Sequence, residues 1–195
     1  QRVQSEVDRE WAELQQIHIA RRFSGGGTVY HDLGNVNLTF IETVSRLPDF
    51  KTYLHRVLEF FVSIGLTAEG DERLGIYLHG LKISGSAQCV YKNRVLYHCT
   101  LLYDTDMTIL NKVLNPEGKI EEKESVPVYA VPSVRSAVTN ISNYLPMETI
   151  EDFKKTVFQY FSKGQSAVAF NEWELGVIDK LRKEKYIRDE WIFSR

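Results

Sequence analysis

The order of apolar and polar residues predicts an α+β fold, a mainly antiparallel sheet flanked by helices. Short alternating runs follow one another from Leu74 to Tyr103 with only turns between them, which is an antiparallel meander and not a βαβ repeat. Stripes of apolar residues at spacings of three and four precede and follow that block, as in helices that cover a sheet by one face. The 195 residues, 43% hydrophobic and 12% aromatic, supply one sizeable core, so a single domain over 1–195 is expected.

The first stripe is Val7, Trp11, Leu14 and Ile17, with Ser5 and Asp8 resembling a capping box, which predicts a helix to about Gln16. An extended stretch, 18–23, leads into Ser24-Gly25-Gly26-Gly27; residues 28–31 and 36–41 read as strands joined by the turn Asp32-Leu33-Gly34-Asn35. Phe50, Tyr53, Leu54, Val57, Leu58, Phe61 and Ile64 mark a long helix ending near Gly65. The meander then comprises 74–79, a turn at Gly80, 83–91, a reversal near Lys92-Asn93-Arg94, and 95–103. Asp104 or Thr105 caps a short helix through Leu114, and the Glu- and Lys-rich stretch 115–125 reads as an exposed loop. Pro146 and Thr149 open a helix that carries Phe153, Val157, Phe158 and Phe161 and closes at Gly164. Residues 167–170 read as an edge strand, and Trp173, Val177, Ile178 and Leu181 mark a last helix.

Twenty-four basic and 26 acidic side chains are mixed along the chain, with a net charge of -2, so no basic face for a nucleic acid is expected. No apolar run approaches the roughly 20 residues of a membrane span, and Cys89 and Cys99 are too few for a secreted disulfide scaffold. A soluble cytoplasmic protein is the expectation. The reversal near Arg94 lets the two cysteines face each other on neighbouring strands, as a cross-strand disulfide or as two buried thiols, and a reducing cytoplasm favours thiols.

Two segments carry chemistry. In Arg21-Arg22-Phe23-Ser24-Gly25-Gly26-Gly27-Thr28 the glycines let the backbone reach positive φ and approach a ligand. Turned N–H groups there can hold a carboxylate or phosphate oxygen, with Arg22 and Ser24 adding donors. The run lacks the Gly-Lys-Ser or Gly-Lys-Thr of a P-loop and the spacing of a dinucleotide fingerprint, and a bare glycine triplet is also an ordinary flexible turn. Lys82-Ile83-Ser84-Gly85-Ser86-Ala87-Gln88 sets a lysine ahead of small residues in a strand. The small side chains leave room for a flat or phosphorylated ligand, and the ammonium can neutralise charge on a transferring acyl-phosphate. The plainer alternative is a solvated strand lysine beside a bulge. A nucleophilic triad of Ser24 with His31 and Asp32 is rejected, since adjacency does not set triad geometry and no GxSxG elbow is present.

The run from Arg21 to Asn35, continued by Asn37-Leu38-Thr39-Phe40, resembles the signature of lipoate-protein ligase A and lipoyltransferases. Residues 82–88 resemble the family's second signature, Tyr97-His98-Cys99-Thr100-Leu101-Leu102 its third, and Pro132-Ser133-Val134-Arg135-Ser136-Ala137-Val138-Thr139-Asn140 a fourth, in order through most of the chain. The resemblance implies a biotin/lipoate ligase-type fold, like that of class II aminoacyl-tRNA synthetases, whose antiparallel sheet carries a cleft for an acyl chain and its adenylate. It implies activation of lipoate or octanoate with ATP and Mg2+, then transfer from the adenylate to a lysine of a lipoyl carrier domain. Carriers of that kind belong to 2-oxoacid dehydrogenase complexes and to the glycine cleavage H protein; some family members perform transfer alone.

Carried over by position, Arg22, Ser24, Gly25, Gly26 and Gly27 match the glycine-rich segment near the acyl-adenylate, and Tyr30 and His31 match the adjoining strand. Lys82 matches the lysine at the carboxyl and phosphate oxygens and is the expected catalytic residue. Ser84, Gly85, Ser86 and Ala87 match its small-residue strand, and His98 matches the histidine of the facing strand. No residue is assigned as a metal ligand, and none is named as the base that deprotonates the carrier lysine.

The family pattern is not complete. This chain reads Gly70-Asp71-Glu72-Arg73-Leu74 where the family has an Arg-Asn-Asp stretch that helps to hold phosphate and metal. Residues 1–195 are read as a fragment lacking the family's N-terminal strand and helix, and without its small accessory C-terminal domain. A separate accessory partner, transfer alone, and a non-catalytic acyl-adenylate-binding protein are therefore alternatives to a self-sufficient ligase. Neither cysteine matches the thioester-forming position of related octanoyltransferases, and biotin ligase ranks lowest because its GRGRxxR-like run is absent.

Overall fold

Alternating segments 35–43, 81–91 and 94–102 pair into the centre of one antiparallel sheet in a computed structural model whose described residues are 3–114, 136–145 and 149–193. Its five strands are β1 (Asn35–Thr43), β2 (Glu69–Gly70), β3 (Ile76–Leu78), β4 (Leu81–Tyr91) and β5 (Arg94–Leu102), in the spatial order β1-β5-β4-β3-β2. The helices are α1 (Val3–Glu6), α2 (Arg9–Leu14), α3 (Lys51–Ser63), α4 (Met107–Val113), α5 (Ile150–Ser162), α6 (Glu172–Leu181) and α7 (Asp189–Ile192). A 3-10 turn, Ile141–Asn143, precedes α5, and a wide π-type turn, Arg182–Tyr186, joins α6 to α7. None of the described helices is long and apolar enough to cross a membrane.

The two-residue period of the strands gives the sheet two unlike faces. On one, Val36, Leu38 and Phe40 stand beside Leu101, Cys99 and Tyr97. Helix α3 covers this face with Tyr53, Val57, Phe60 and Phe61, and α5 with Phe153 and Val157. The Tyr53 and Tyr97 rings stack at 5.3 Å, as do Tyr103 and Phe153 at 4.6 Å. Burying each such side chain contributes roughly 1.5–3 kcal/mol, so this is the core that holds the sheet in shape.

The opposite face carries Asn37 and Thr39 of β1, Thr100 and His98 of β5, and Gly85 and Ala87 of β4. A smaller apolar cluster of Val7, Ala12, Tyr30, Leu102, Leu110 and Val113 gathers at the Leu102 end of that face. Gly34 is required at the entry to β1: its carbonyl accepts from Tyr103 and Asp104 N–H, and a Cβ there would overlap the Asp104 carbonyl.

The expected α3, β1, the β4–β5 hairpin, α5 and α6 are all present, with these differences. The first helix is two short ones, because the Asp8 carboxylate accepts from Trp11 N–H at 3.0 Å and starts a new helix after Val7. Helix α4 is capped by Asp106 and not by Asp104 or Thr105; both backbone groups of Thr105 are taken by the Asn140 amide. The expected extended stretch 18–23 and strand 28–31 join no sheet, and the amide of Thr28 is met by the Glu6 side chain instead. Residues 167–170 form no edge strand either, and Val168 is 94% exposed. Helix α6 has a capping box from Asn171 and Glu174, yet Trp173, Val177, Ile178 and Leu181 remain exposed.

The cysteines do not face each other. Cys89 pairs with Leu96 and Cys99 with Ser86, which puts them on opposite faces, and both are free thiols. The polar stretch 115–125, Pro146 and residues 132–135 of the fourth signature lie outside the described residues.

Two glycines separate steric need from mere tolerance. Gly34→Ala is expected to destabilise by more than about 3 kcal/mol, since backbone must move. Gly176→Ala, on exposed α6 where a Cβ meets nothing within 4 Å, is expected to stabilise by about 0.5–1 kcal/mol. Urea denaturation of the two variants checks both signs.

Candidate active site

Arg22 shapes the glycine run. Its Nη2 donates to the carbonyls of Gly25 at 2.6 Å and Gly27 at 2.8 Å, and its Nε to the Gly25 carbonyl and to Ser24 Oγ, each at 3.1 Å. Because a trans peptide points its N–H away from its C=O, carbonyls turned toward the guanidinium turn the next amides outward. The Thr28 amide accordingly meets Glu6 Oε2 at 2.7 Å, while the Gly26 amide has no backbone acceptor among the described residues. Gly26 has φ +95, and a Cβ there would come within 2.8 Å of Arg22 Nη2 and 3.5 Å of Ala87 Cβ. Only glycine lets the loop lie this closely on β4. A Cβ at Gly85 would meet nothing within 4 Å, so the strand beside the loop is open.

Ser24 Oγ lies 2.6 Å from His98 Nε2. Arg22 Nε can only donate, so Ser24 accepts from it, and Ser24 donates to His98 Nε2 in the tautomer that carries the imidazole proton on Nδ1. Burial lowers the His98 pKa, and the charges of Arg22 and His31 lower it further. His31 is lowered in the same way by burial and by Arg22, with Asp32 opposing. Arg22 is itself lowered by burial, against the pull of Glu6. Two neutral imidazoles thus sit beside one cation.

Lys82 reaches the same face through an irregularity. Ile76 pairs with Ser84 but Tyr77 with Lys82, which leaves Ile83 as an extra residue on β4. A regular strand would point Lys82 to the side of Ser84 and Ser86, into the core. The bulge turns it to the side of Tyr77, whose ring centroid lies 5.9 Å from Lys82 Nζ. The described part of the fourth signature holds this position: Lys82 N–H donates to the Ala137 carbonyl at 2.8 Å and its carbonyl accepts from Thr139 N–H at 3.0 Å. Burial lowers the Lys82 pKa, with Asp71 raising it and Arg73 lowering it. The distance along β4 from Lys82 to Ala87 is roughly 15 Å at about 3.3 Å per residue.

Asp71 and Arg73 stand out from sequence only as part of the stretch that departs from the family pattern, and Tyr77 is not singled out. The Asp71 carboxylate accepts from Arg73 N–H (3.0 Å), Gly75 N–H (2.7 Å) and Tyr77 Oη (2.8 Å). A Cβ at Gly75 would stand 3.2 Å from Asp71 Oδ1, so the missing side chain makes the space that the carboxylate fills. Leu74 turns the chain there at φ +61. Tyr77 is found by its alternate position to buried Ile76, but nothing local signals Asp71.

Several expected site residues stand elsewhere. The Ser84 and Ser86 side chains belong to the core face; Ser84 is buried and Ser86 Oγ donates to the Leu74 carbonyl at 2.9 Å. Only their backbones border the open side. Tyr30 packs in the smaller apolar cluster, its pKa raised by burial and by Asp32. The Cys99 thiol is buried and pushed up to about 12, which makes it inert as a nucleophile. Among the described residues no three His, Cys, Asp or Glu side chains converge as for a metal, and Asp71 has its oxygens committed to the turn. These residues do not fit a protein-held Mg2+.

A family model, the lipoyl protein ligase A/B catalytic domain, matches residues 1–162. The chain belongs to this family. It is 31% identical over its whole length to a probable lipoate-protein ligase A of Mycoplasma pneumoniae, covering 58% of that protein. It is 34% identical over 97% of its length to a lipoate-protein ligase of Staphylococcus aureus, again 58% of the relative. The chain therefore spans little more than half of these proteins. Among solved structures, a bipartite lipoate protein ligase from Thermoplasma acidophilum, studied with its E2 lipoyl domain, superposes with a TM-score of 0.82 at 27% identity, over 99% of this chain and 77% of that one. A lipoate-protein ligase A bound with ATP superposes with a TM-score of 0.79 at 26% identity, over 99% and 78%. The chain is thus a ligase-family catalytic domain with the lipoate ligase fold.

The electrostatics of this ligase-family site give a checkable titration. Both histidines should titrate below the ordinary 6.5, and Arg22→Met should raise both values by removing a cation that opposes protonation. The unfolded chain takes up these protons first, so stability is full above 6.5 and is lost as pH falls through the folded values. Imidazole NMR titration of wild type and Arg22→Met measures the shift.

Proposed function

We propose that this chain is the acyl-transfer unit of a lipoate-protein ligase, holding lipoyl- or octanoyl-adenylate over the open face of the sheet and delivering the acyl group to a carrier lysine. The observation that carries this reading is the bulge at Ile83, which turns Lys82 out of the core onto the face where Arg22, the glycine run and His98 meet. The outward Gly26 amide is a fixed donor for a carbonyl or phosphate oxygen. Lys82 supplies a half-buried cation for charge that builds on the adenylate phosphate as it leaves. Gly85, where a Cβ would meet nothing within 4 Å, leaves space for a ligand between these two groups.

Attack by the carrier amine forms the C–N bond and breaks the bond from the acyl carbon to the adenylate oxygen. AMP departs with the electron pair. Fixed donors stabilise both oxygens without a covalent enzyme intermediate, and the buried Cys99 takes no part. ATP is the co-substrate when the adenylate is made in place; no step here runs through Mg2+. The bipartite relative supports a further polypeptide that completes adenylation. A lipoyl domain is the acceptor on the same grounds.

The test is the intact mass of a purified lipoyl domain after incubation with the full-length protein. One arm contains lipoate, ATP and Mg2+, and the other preformed lipoyl-adenylate. A gain of one lipoyl group in both arms marks a complete ligase; a gain in the second alone marks a transferase. Adenylate bound but never consumed sinks the reading in favour of a binding protein. Lys82→Ala is expected to lower the transfer rate by roughly 10²–10³-fold while leaving the thermal melt in place.

A further inference from the structure

We infer that Ser24 and His98 form a proton-accepting pair for the attacking amine, so that the glycine loop takes part in the chemistry as well as in binding. The inference rests on the acyl-transfer reading above. The carrier lysine enters as a neutral amine, becomes cationic at nitrogen as the C–N bond forms, and must lose one proton for the amide to persist. Lys82 is assigned as a cation and Arg22 can only donate, so neither accepts it.

Geometry supplies the acceptor. Ser24 Oγ is placed between a donor, Arg22 Nε at 3.1 Å, and an acceptor, His98 Nε2 at 2.6 Å. With the imidazole proton on Nδ1, Ser24 accepts from Arg22 and donates to His98, which leaves its second lone pair open to the amine. As the amine nitrogen sheds its proton to Ser24 Oγ, the serine's own hydrogen passes to His98 Nε2. One proton is gained by the imidazole and one lost by the amine, and the serine is unchanged. The position fits the rest of the site, because His98 pairs with Ala87, against which Gly26 is packed.

The surroundings also reset the pair. Arg22 and His31 both oppose a charged His98, and Glu6 lies on the Arg22 side of the loop. Imidazolium formed in the transfer is therefore driven to release its proton to solvent before the next turnover. Ser24 is a relay here and never an acyl carrier, so no ester accumulates on it.

The test compares two nucleophiles in single-turnover reactions of the full-length protein with preformed lipoyl-adenylate. A lipoyl domain lysine needs a proton acceptor; hydroxylamine captures the acyl group without base assistance. His98→Gln is expected to slow transfer to the lipoyl domain by roughly 10²-fold more than it slows hydroxylamine capture of the bound adenylate, and Ser24→Ala to move in the same direction. The thermal melt and the lipoyl-adenylate affinity of each variant report that it folds and binds. Equal losses with both nucleophiles, or no loss with either, overturn the pair as proton acceptor. A wild-type protein that consumes adenylate with neither nucleophile overturns the acyl-transfer reading itself, a result distinct from any variant effect.

Discussion

A half-buried guanidinium must find acceptors, and in this domain Arg22 finds them in the backbone of the glycines that follow it. Much of the site depends on that requirement. Satisfying it turns the carbonyls of Gly25 and Gly27 inward and so turns amides outward, gives Ser24 a donor, and adds a cation to the burial that already lowers the pKa of two histidines. Gly26 is needed both for its positive φ and for thinness, since a side chain there would press on the Arg22 guanidinium that holds the loop. The loop is ordered by one side chain that reaches back across three to five residues.

The sheet contributes a division of labour. One face is spent on aromatic packing under α3 and α5, which holds β1, β5 and β4 in a fixed register. That register brings His98, 74 residues away in sequence, to Ser24. The other face carries Asn37, Thr39, His98 and Thr100 between the apolar cluster at its Leu102 end and the open stretch of β4 at Gly85. Rigid strands carry His98 and Lys82, while the adaptable element, the loop, is clamped to one of them.

Much of this was legible in the amino-acid order because the underlying periods are local. The stripe from Phe50 to Ile64, the hairpin about Lys92 and the capping threonine of α5 all announce themselves within a few residues. Residues 28–31 misled because an alternating run beside a glycine turn looks like a strand; its first amide, that of Thr28, is met instead by a distant Glu6. Residues 167–170 misled because β-branched and aromatic residues predict a strand only where a sheet edge lies beside them. Ser84 and Ser86 carry the right signature, yet a period-two strand cannot present both them and Gly85 to one side. The role of Asp71 was invisible because it depends on the absence of a side chain at Gly75, four residues on.

The extra residue on β4 has an evolutionary consequence. Exchanging Ile83 for another apolar residue keeps the count of residues, and with it the face on which Lys82 stands. Straightening the strand without shortening it would carry an ammonium into the layer of Ile76 and Leu78, both essentially inaccessible to water, whereas removing Ile83 itself leaves Lys82 opposite Tyr77 in a regular ladder. Descendants of this domain can therefore keep the lysine outward in two ways, with an apolar residue bulged at 83 or with the strand one residue shorter, and what they must preserve is the pairing of Lys82 with Tyr77.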